Sequence, residues 1–562
     1  MEKRLLIAIV LSFVVLLGWQ FIFVNKEEPP PPPIEGLPVA AQQAPESLPP
    51  TALEQAQKAA EGLEPEVEDT LNPDAKRLDA PVEPVSGERE QEIRIDTPIY
   101  RATWNTRGAV LTSWRLKLHT GDNGEDLELV SSAAGEIGQY PLSLRTGDPE
   151  LDALLSQALF LPSRQSLELM AGEAKELRFE YADERGNRVE KIMSFRGEGY
   201  DFDLEVNLWK DGQKQESYVV WGPGFGNLTA SQGGRMGSSP GISVYSGAKV
   251  LRHDERKYKP EESAYNFVNW ASYDDQYFTA MLIGTPGTSS ALFSREMVGE
   301  TQAFHFLNVS AVQKVYLGPK QYDQLSDLGH EAKRAIRFGI FGFITEILYV
   351  AIKAIYNTIP NWGWSIVILT IAIKILFFPL TYQSTKSMSK MQKLQPKIKA
   401  VRNKYKKAKQ DIEQRRKLNE ETMRIYKEEG VNPAGGCLPM LIQLPIFWGF
   451  FQLLRVAVEF RHSPWILWIG DLSVKDPYYV IPVLMGITQF ISQKMTPTSG
   501  DATQQRMMLI MPVIMTVFFI SFPSGLVLYW LTNNVLQIGQ QYIMNRYMHK
   551  KKKESHGKPR KK

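Results

Sequence analysis

The distribution of apolar and polar residues divides the chain into three zones. A charge-free apolar run of 20 residues, Leu5–Val24, lies near the start, and five more apolar runs lie in about the last 200 residues. Twenty helical residues cover ~30 Å, the thickness of a bilayer core. Between about Gly87 and Lys320, apolar and polar residues alternate with period two between Asp, Asn and Gly turns, which is typical of half-buried antiparallel strands. The pattern predicts a polytopic α-helical membrane protein of six spans, five of them forming a helical core, with a large all-β domain.

The segment before the β domain is predicted to hold an anchor and a tether. The first run ends without a small-residue cleavage site, so we expect an uncleaved signal-anchor span over 1–24, with a cleaved signal peptide as the alternative. Residues 25–86 are proline-rich and acidic, and their lack of apolar periodicity predicts an unfolded linker. The β domain is predicted over 87–320.

An amphipathic stretch follows the β domain, over 321–360. Its apolar residues recur at helical spacing and predict an interfacial helix with a connector, the alternative being a helix packed on the β domain. These residues are Leu325, Leu328, Ala332, Ile336 and Ile340.

The rest of the chain is predicted to alternate between spans and short connections. The predicted order is the second span 361–382, a basic cytoplasmic helical hairpin 383–436, the third span 437–458, a periplasmic loop 459–477, the fourth span 478–493, a cytoplasmic loop 494–506, the fifth span 507–522, a periplasmic turn 523–525, the sixth span 526–544 and a basic tail 545–562.

Charge supports this topology. The whole chain carries a formal charge of only +3. The loop 383–436 holds fifteen Lys and Arg against six Asp and Glu, and the tail 545–562 holds nine against one. Because short cytoplasmic loops of membrane proteins are enriched in Lys and Arg, both segments and both termini are predicted to be cytoplasmic, with the large domain outside.

Polar residues interrupt several predicted spans. Lys374 lies within the second span, with Thr370 one turn away, and Gln443 and Asn534 lie within the third and sixth spans. A charge inside a membrane is costly unless it faces water or a partner, so these residues indicate a wet, positively charged cavity. The alternatives are that Lys374 extends to the interface and that the amides bond neighbouring helices.

Composition narrows the classes of protein to which this chain could belong. One cysteine excludes an intramolecular disulfide and a cysteine-based zinc site, and the seven histidines show no paired metal-ligand spacing, so we expect no metal and no cofactor. A carbohydrate-active enzyme on a membrane anchor would need paired carboxylates or His and Glu in a cleft, and a solute transporter would need an intramembrane carboxylate or repeated spans. We find neither pattern and predict a protein that is not an enzyme.

Two long motifs carry a specific resemblance. The segment 432–447, NPAGGCLPMLIQLPIF, and the segment 522–530, FPSGLVLYW, resemble signatures of the YidC/Oxa/Alb insertase family. The N-terminal anchor and the large outer domain resemble the long form found in Gram-negative bacteria. The resemblance implies insertion and folding of inner-membrane proteins, alone or with the Sec translocon. It also implies a β-supersandwich-like periplasmic domain.

The resemblance further implies a substrate groove open to the cytoplasm and to lipid. Its positive residue is Lys374, where Gram-negative members usually carry Arg; a lysine keeps the charge but not the bidentate fork. The predicted groove residues are Lys374, Thr370, Gln443, Tyr529, Trp530 and Asn534.

The basic cytoplasmic segments are predicted to meet a ribosome, a signal-recognition-particle receptor or anionic lipid, the alternative being that they only determine topology. Nascent inner-membrane proteins are the expected substrates. The predicted contact residues are Lys386, Lys390, Lys393, Lys397, Lys399, Arg402, Lys404, Lys550, Lys551, Lys552 and Lys553.

Overall fold

The computed structural model describes residues 83–121, 123–226, 240–254, 263–298, 302–405, 411–431, 438–496 and 502–556. The predicted anchor 1–24, nearly all of the predicted linker, the first six residues of the 432–447 motif and the side chains of Lys550–Lys553 lie outside the described residues.

The first half of the described chain is built from strands. They are β1 (Glu92–Asp96), β2 (Tyr100–Asn105), β3 (Val110–Thr120), β4 (Asp126–Glu128), β5 (Leu144–Arg145), β6 (Leu161–Pro162), β7 (Ser166–Glu168), β8 (Ala174–Ala182), β9 (Arg188–Arg196), β10 (Asp201–Lys210), β11 (Gln213–Gln215), β12 (Tyr218–Trp221), β13 (Gly241–Ser246), β14 (Lys249–Asp254), β15 (Ser263–Asn266), β16 (Val268–Asp274), β17 (Phe278–Gly284), β18 (Ser290–Val298), β19 (Gln302–Ser310) and β20 (Val312–Pro319).

These strands form three sheets. A ten-stranded sheet has the order β14-β13-β16-β17-β20-β10-β9-β8-β6, with β11 added beside β10. Two five-stranded sheets have the orders β4-β3-β2-β1-β7 and β15-β18-β19-β12-β5. Two short helices, α1 (Ala133–Ile137) and α2 (Pro149–Gln157), lie among the strands. The prediction of an all-β domain is therefore corrected to a β-rich one.

Alternation explains these strands. In β9 every second residue, from Val189 to Phe195, is buried, while the residues between them are half-buried. Because successive side chains of a strand point to opposite faces, this pattern places one face of the sheet on the core.

One buried position of β9 holds a charge-bearing side chain. Lys191 is 2% exposed, and its Nζ donates hydrogen bonds to the backbone oxygens of Gly108 (3.2 Å), Ala109 (2.9 Å) and Leu142 (2.9 Å). A buried polar group is tolerated where its bonds are satisfied, so this lysine joins three segments of the domain.

The connector after the β domain differs from its prediction. Instead of one helix through 325–340, α3 (Tyr322–Asp327) is followed by a turn and a 3₁₀ helix, Ala332–Ala335. The left-handed backbone of residues 329–331 ends the first helix. Leu325 and Ile336 are buried in the β-domain core, so the prediction of an interfacial helix through them was wrong.

An amphipathic helix does follow, further along the chain. In α4 (Gly342–Tyr356), Leu348 and Ile352 are buried, while Phe343, Ile347 and Val350 are exposed on the opposite side. This spacing of four and three residues forms one apolar face.

The rest of the described chain is helical. Its helices are α5 (Trp362–Leu376), α6 (Phe378–Lys404), α7 (Ile412–Glu428), α8 (Leu438–Val456), α9 (Val480–Met495), α10 (Ala502–Phe519) and α11 (Ser524–His556).

The predicted second span over 361–382 is bent in the structure. Helix α5 ends at Leu376, and α6 continues at an angle of 60°. Pro379 lies in the first turn of α6, where its missing N–H is tolerated but where it cannot continue the preceding helix. Taken singly, none of the helices in the described ranges combines the length and the apolar composition that crossing a bilayer requires; α5 and α6 meet both conditions as a bent pair.

The β domain contacts the far end of α8. Val456 and Val458 pack in the β-domain core, and Gln276 Nε2 donates to Arg455 O over 2.7 Å. Thr120 Oγ1 lies 3.0 Å from His462 Nδ1 in the segment that follows α8. These contacts join the β domain to the predicted periplasmic end of the third span.

Candidate functional site

Lys374 lies in the last turn of α5, three residues before the bend. Its Nζ donates a hydrogen bond of 2.9 Å to Gln537 Oε1 on α11, and both side chains are half-buried. A cation in the last turn of a helix is favoured by the helix dipole. The ammonium group of Lys374 thus bonds to a neutral amide, and this partner does not compensate the positive charge of the lysine.

A second polar contact joins α8 and α11. Gln443 Nε2 donates a hydrogen bond to Tyr529 Oη. The Tyr529 ring is 1% exposed and stacks on Phe450, with ring centroids 4.2 Å apart. Gln443 is only half-buried, so the packed tyrosine holds the amide at the helix surface.

Trp530 is the next residue of α11 and faces a different neighbour. Its Nε1 donates to Gln489 Oε1 on α9 over 3.2 Å, and its ring lies edge-on to Phe447, with centroids 5.0 Å apart. The side chain is half-buried, so it forms an aromatic wall whose polar edge is already bonded.

Two predicted groove residues are packed between helices. Thr370 is 1% exposed, and its Oγ1 bonds Ile366 O on its own helix over 2.6 Å. Asn534 is buried, and its Nδ2 donates to Met485 O on α9 over 3.2 Å. Thr370, Asn534 and Tyr529 are therefore packed inside the helical region rather than displayed on its surface.

The predicted groove residues occupy two levels along α11. The partners of Gln443 and Lys374 on that helix are Tyr529 and Gln537, eight residues or ~12 Å apart. Half-buried polar side chains at both levels make a polar strip beside otherwise apolar helices.

The motif at 522–530 has a clear structural role at the start of α11. Ser524 N donates to Val474 O (2.7 Å), and Ser524 Oγ donates to Asp471 O (2.9 Å). A Cβ on Gly525 would lie 3.0 Å from Leu454 Cδ2, which is tighter than ordinary packing. The serine and glycine therefore allow α11 to begin directly against the loop that follows α8.

Seven of the predicted contact residues for a ribosome or receptor lie on α6. Met391, Leu394 and Ile398 form a small core with Val431 beyond α7. The seven predicted contact residues on this helix, from Lys386 to Lys404, are exposed. Lys397 and Lys404 pair with Glu429 (2.7 Å) and Glu421 (3.3 Å) across the hairpin. At least these two bases therefore also hold the hairpin together.

The predicted site residues do not include the hydrogen-bond partners of Lys374 and Trp530, although the sequence contained a signal for both partners. Gln489 and Gln537 lie within predicted spans, and the argument applied to Gln443 applies to them equally. Asp476 is different: it is 1% exposed and accepts a 2.7 Å bond from Ile481 N at the start of α9. Only the fold shows that this loop carboxylate is buried.

Comparison with known proteins matches both halves of the chain. The family model described as "YidC periplasmic domain" matches residues 92–351, and that described as "60Kd inner membrane protein" matches residues 354–552. The first match contains the strands, and the second contains α5 to α10 and most of α11. The β-rich half is therefore the periplasmic domain, and the helical half belongs to an inner-membrane protein.

Whole-length relatives agree. The membrane protein insertase YidC of Syntrophus aciditrophicus is 38% identical over 97% of this chain and 100% of its own length. That of Geobacter metallireducens is 36% identical over 97% of this chain and 98% of its own length. A crystal structure of an active YidC insertase with its first transmembrane domain resolved is 20% identical, covering 82% of this chain and 94% of that one, with a TM-score of 0.35.

The sequence matches confirm the resemblance that the segments 432–447 and 522–530 carry. The family is named for membrane insertion and is not a class of enzymes, which agrees with the expectation from composition. Its members act on membrane proteins at the lipid bilayer. The chain belongs to the YidC family of membrane protein insertases.

Proposed function

We propose that insertion proceeds through a polar, positively charged groove whose surface is formed by Lys374, Gln443 and Trp530. The polar part of a substrate enters this groove from the cytoplasm, and its apolar helix leaves sideways into lipid. The observation that carries the proposal is the bond from Lys374 Nζ to Gln537 Oε1, because an amide can hold the ammonium group without neutralising it. The remaining charge is available to an acidic substrate segment.

The free energy comes from the substrate. Each apolar residue of a ~20-residue helix favours the membrane by a few tenths of a kcal/mol. The membrane potential adds ~2.3 kcal/mol per acidic charge moved outward at 100 mV. The groove only needs to lower the free-energy cost of moving the polar segment across the membrane, so no covalent chemistry is required.

Short helices support this role. The helix α9 has 16 residues and α5 has 15, which corresponds to ~24 Å or less. Helices shorter than the ~30 Å hydrocarbon core thin the bilayer beside them. We propose six spans with both termini cytoplasmic, the bent pair α5 and α6 leading from the second span into the hairpin.

The basic face of α6 and the basic tail are proposed contacts for a ribosome or a targeting receptor, and the Sec translocon is a proposed partner. Such contacts with RNA would be electrostatic and weakened by salt. Sedimentation of the full chain with ribosomes tests this: reversing the charge of Lys386, Lys390 and Lys393 should abolish co-sedimentation at low salt. Unchanged sedimentation would restrict these residues to determining topology.

The groove is tested with the purified full chain in liposomes. The substrate is a short single-span protein with an acidic N-terminal tail, and insertion is read from protease protection of that tail. Lys374→Ala should slow insertion at least about fivefold, the effect of losing ~1 kcal/mol of attraction. Lys374→Arg should restore the rate of insertion. The matched control is Lys475→Ala, which removes an exposed lysine of the predicted periplasmic loop.

The outcomes separate two roles of this lysine. Equal insertion by wild type and Lys374→Ala would make Lys374 a residue that extends to the interface and would remove it from the mechanism. Equal loss in Lys374→Ala and Lys475→Ala would show a general effect of charge. Wild-type protein that is folded but inserts no more than empty liposomes would contradict autonomous insertion.

A further inference from the structure

The loop between α8 and α9 contains a tight turn with an unusual composition. Trp465 N donates to Ile469 O over 3.0 Å, and Ile469 N donates to Ile466 O over 3.1 Å. These two bonds close a turn over 465–469, which we call the apolar turn. The segment 464–470 reads PWILWIG and contains no charged residue. Turns in water favour Gly, Asn, Asp and Ser, so this composition indicates a different environment.

The tip of the apolar turn is exposed and its backbone is strained. Leu467 is 84% exposed, and its neighbour Ile466 is 38% exposed. The φ angle of Leu467 is 52°, in the left-handed region that side chains with a Cβ atom rarely adopt. A glycine or an asparagine would adopt this backbone more easily. A large apolar side chain therefore stands where both exposure and backbone disfavour it, which points to a function for that side chain.

Both sides of the apolar turn are fixed to the rest of the helical region. Asn361, the residue that caps α5, donates from Nδ2 to Trp465 O over 3.3 Å. A Cβ on Gly363 would lie 2.1 Å from Trp465 Cδ1, so the glycine lets the indole ring rest directly on α5. On the other side, Trp468 Nε1 donates to Asp476 Oδ1 over 3.0 Å. The tip is thus held in place beside the start of α5.

The apolar turn continues a surface of α5 that is already apolar and exposed. Trp364 is 43% exposed and lies edge-on to Trp465, with ring centroids 5.9 Å apart. Ile371 and Ile375 are 37% and 69% exposed. They follow Trp364 by seven and eleven residues, a spacing that places all three side chains on one face of the helix. The turn therefore extends the proposed lipid-facing side of α5.

Aromatic side chains mark the level of the membrane–water interface at this end of the helices. Tyr478 and Tyr479, just before α9, are 69% and 39% exposed, and Trp364 lies in the first turn of α5. Tryptophan and tyrosine are enriched at membrane interfaces because their rings are apolar while their N–H or O–H groups are polar. The apolar turn lies beside these residues, so its tip is close to the acyl chains of the outer leaflet.

We propose that the apolar turn inserts into the periplasmic leaflet of the bilayer, with Ile466 and Leu467 among the upper acyl chains and Trp364 and Tyr478 among the headgroups. Burial of the exposed apolar surface in lipid supplies the free energy. Through the contacts of Trp465, the inserted turn holds the start of α5 at a fixed depth. The proposal rests on the membrane orientation proposed above, but it does not require the substrate groove.

The test uses the full chain in nanodiscs with one fluorescent label. Cys437→Ala removes the single native cysteine, and Leu467→Cys then carries an environment-sensitive fluorophore. Lipids with a nitroxide in the upper acyl chain should quench this label, and aqueous iodide should not. The control label is placed by Met170→Cys, at a position 71% exposed in the periplasmic domain. Iodide should quench the control label, and the lipid nitroxide should not.

Two results would overturn the proposal. Iodide quenching as strong at the Leu467→Cys label as at the Met170→Cys label would place the turn in water. Loss of quenching by both agents at Leu467→Cys would show that protein covers the turn, such as the predicted anchor 1–24 or a second copy of the chain.

Two variants of one position separate insertion from folding. Leu467→Asn suits the left-handed backbone, so its melting temperature in detergent should equal or exceed that of wild type. A label placed by Tyr478→Cys should nevertheless shift from lipid quenching towards iodide quenching in Leu467→Asn. It should not shift in Leu467→Met, which keeps an apolar tip. Equal quenching in the two variants would contradict anchoring by this side chain.

The labels also keep this proposal separate from the groove proposal. Quenching reports the position of the apolar turn whether or not the chain inserts a substrate. Lipid quenching at Leu467→Cys without substrate insertion would support the anchor and count against the groove. Iodide quenching with normal insertion would overturn the anchor alone.

Discussion

The periplasmic domain and the helical region arrange polar and apolar side chains in opposite ways. In the periplasmic domain, β9 turns Val189, Met193 and Phe195 inward and Glu190 and Ser194 outward. In the helical region, Val517 of α10 is 66% exposed and Ile375 of α5 is 69% exposed, while Thr370 and Gln541 are 1% and 0% exposed. The first arrangement is that of a domain in water, and the second is that of helices whose outer surface faces lipid.

Buried polar groups follow different rules in the two regions. In the periplasmic domain, the ammonium group of Lys191 donates to three backbone oxygens of residues that lie outside the strands. In the helical region, side chains bond to side chains between helices, as Gln443 does to Tyr529 and Trp530 to Gln489. Helices satisfy their own backbone groups, so polar side chains in that region remain available to partners.

The largest expected effect comes from charging equally exposed positions in the two regions. Val517→Arg places a cation on the proposed lipid-facing surface and should cost ~3 kcal/mol of insertion free energy. Met170→Arg, at a position 71% exposed in the periplasmic domain, should be neutral. Extraction of each variant from membranes by alkaline carbonate measures the difference. Equal extraction would refute the contrast between the two surfaces.

The buried lysine of β9 offers the next test. Lys191→Met keeps the length of the side chain but leaves three buried carbonyl oxygens without a donor. We expect the free energy of unfolding of the periplasmic domain to fall by about 2–3 kcal/mol. Thermal unfolding of the full chain measures it, with the half-buried neighbour Ile192→Met as control. An unchanged transition would show that water replaces the ammonium group.

The contact between the two regions should depend on pH. Burial, together with Arg461 and His462 nearby, lowers the pKa of His119 from 6.5 to about 4, and its ring lies edge-on to Phe278. Above pH 6.5 neither the folded nor the unfolded state binds this proton, so the stability is complete. Between pH 6.5 and 4 only the unfolded state binds it, and stability falls as pH falls.

Because His119 is partly exposed, we expect this loss to be about 1–2 kcal/mol. His119→Phe removes the titrating group and should reduce the slope of melting temperature against pH in this window alone. An identical slope in wild type and variant would assign the pH dependence to other groups.

The smallest expected effect concerns the bond between α8 and α11. Tyr529→Phe removes only the hydroxyl that accepts from Gln443, so it should cost ~0.6 kcal/mol, the average for such bonds between membrane helices. A double-mutant cycle with Gln443→Leu measures the coupling by unfolding in mild detergent. A coupling free energy near zero would show that Gln443 acts only at the groove surface.

Local patterns predicted the type of most elements. Alternation with period two indicated the strands between Glu92 and Pro319, and the apolar runs indicated helices close to where α8, α9 and α10 lie. The connector failed because the backbone at 329–331 turns left-handed, and the spacing of Leu325 and Ile336 reflects packing on the periplasmic domain rather than one helix. Apolar residues at helical spacing indicate which positions are buried. Residues of a helix and of the turn after it can be buried in the same core without forming one continuous helix.

The sequence by itself determined the class of each zone, the charge of its loops and the family, because these depend on composition, short-range periodicity and continuous motifs. Tertiary structure alone decided which polar residues meet. Lys374 and Gln537 are 163 residues apart, and Gln443 and Tyr529 are 86 apart. Such contacts follow from how distant elements pack, and no local pattern specifies that geometry.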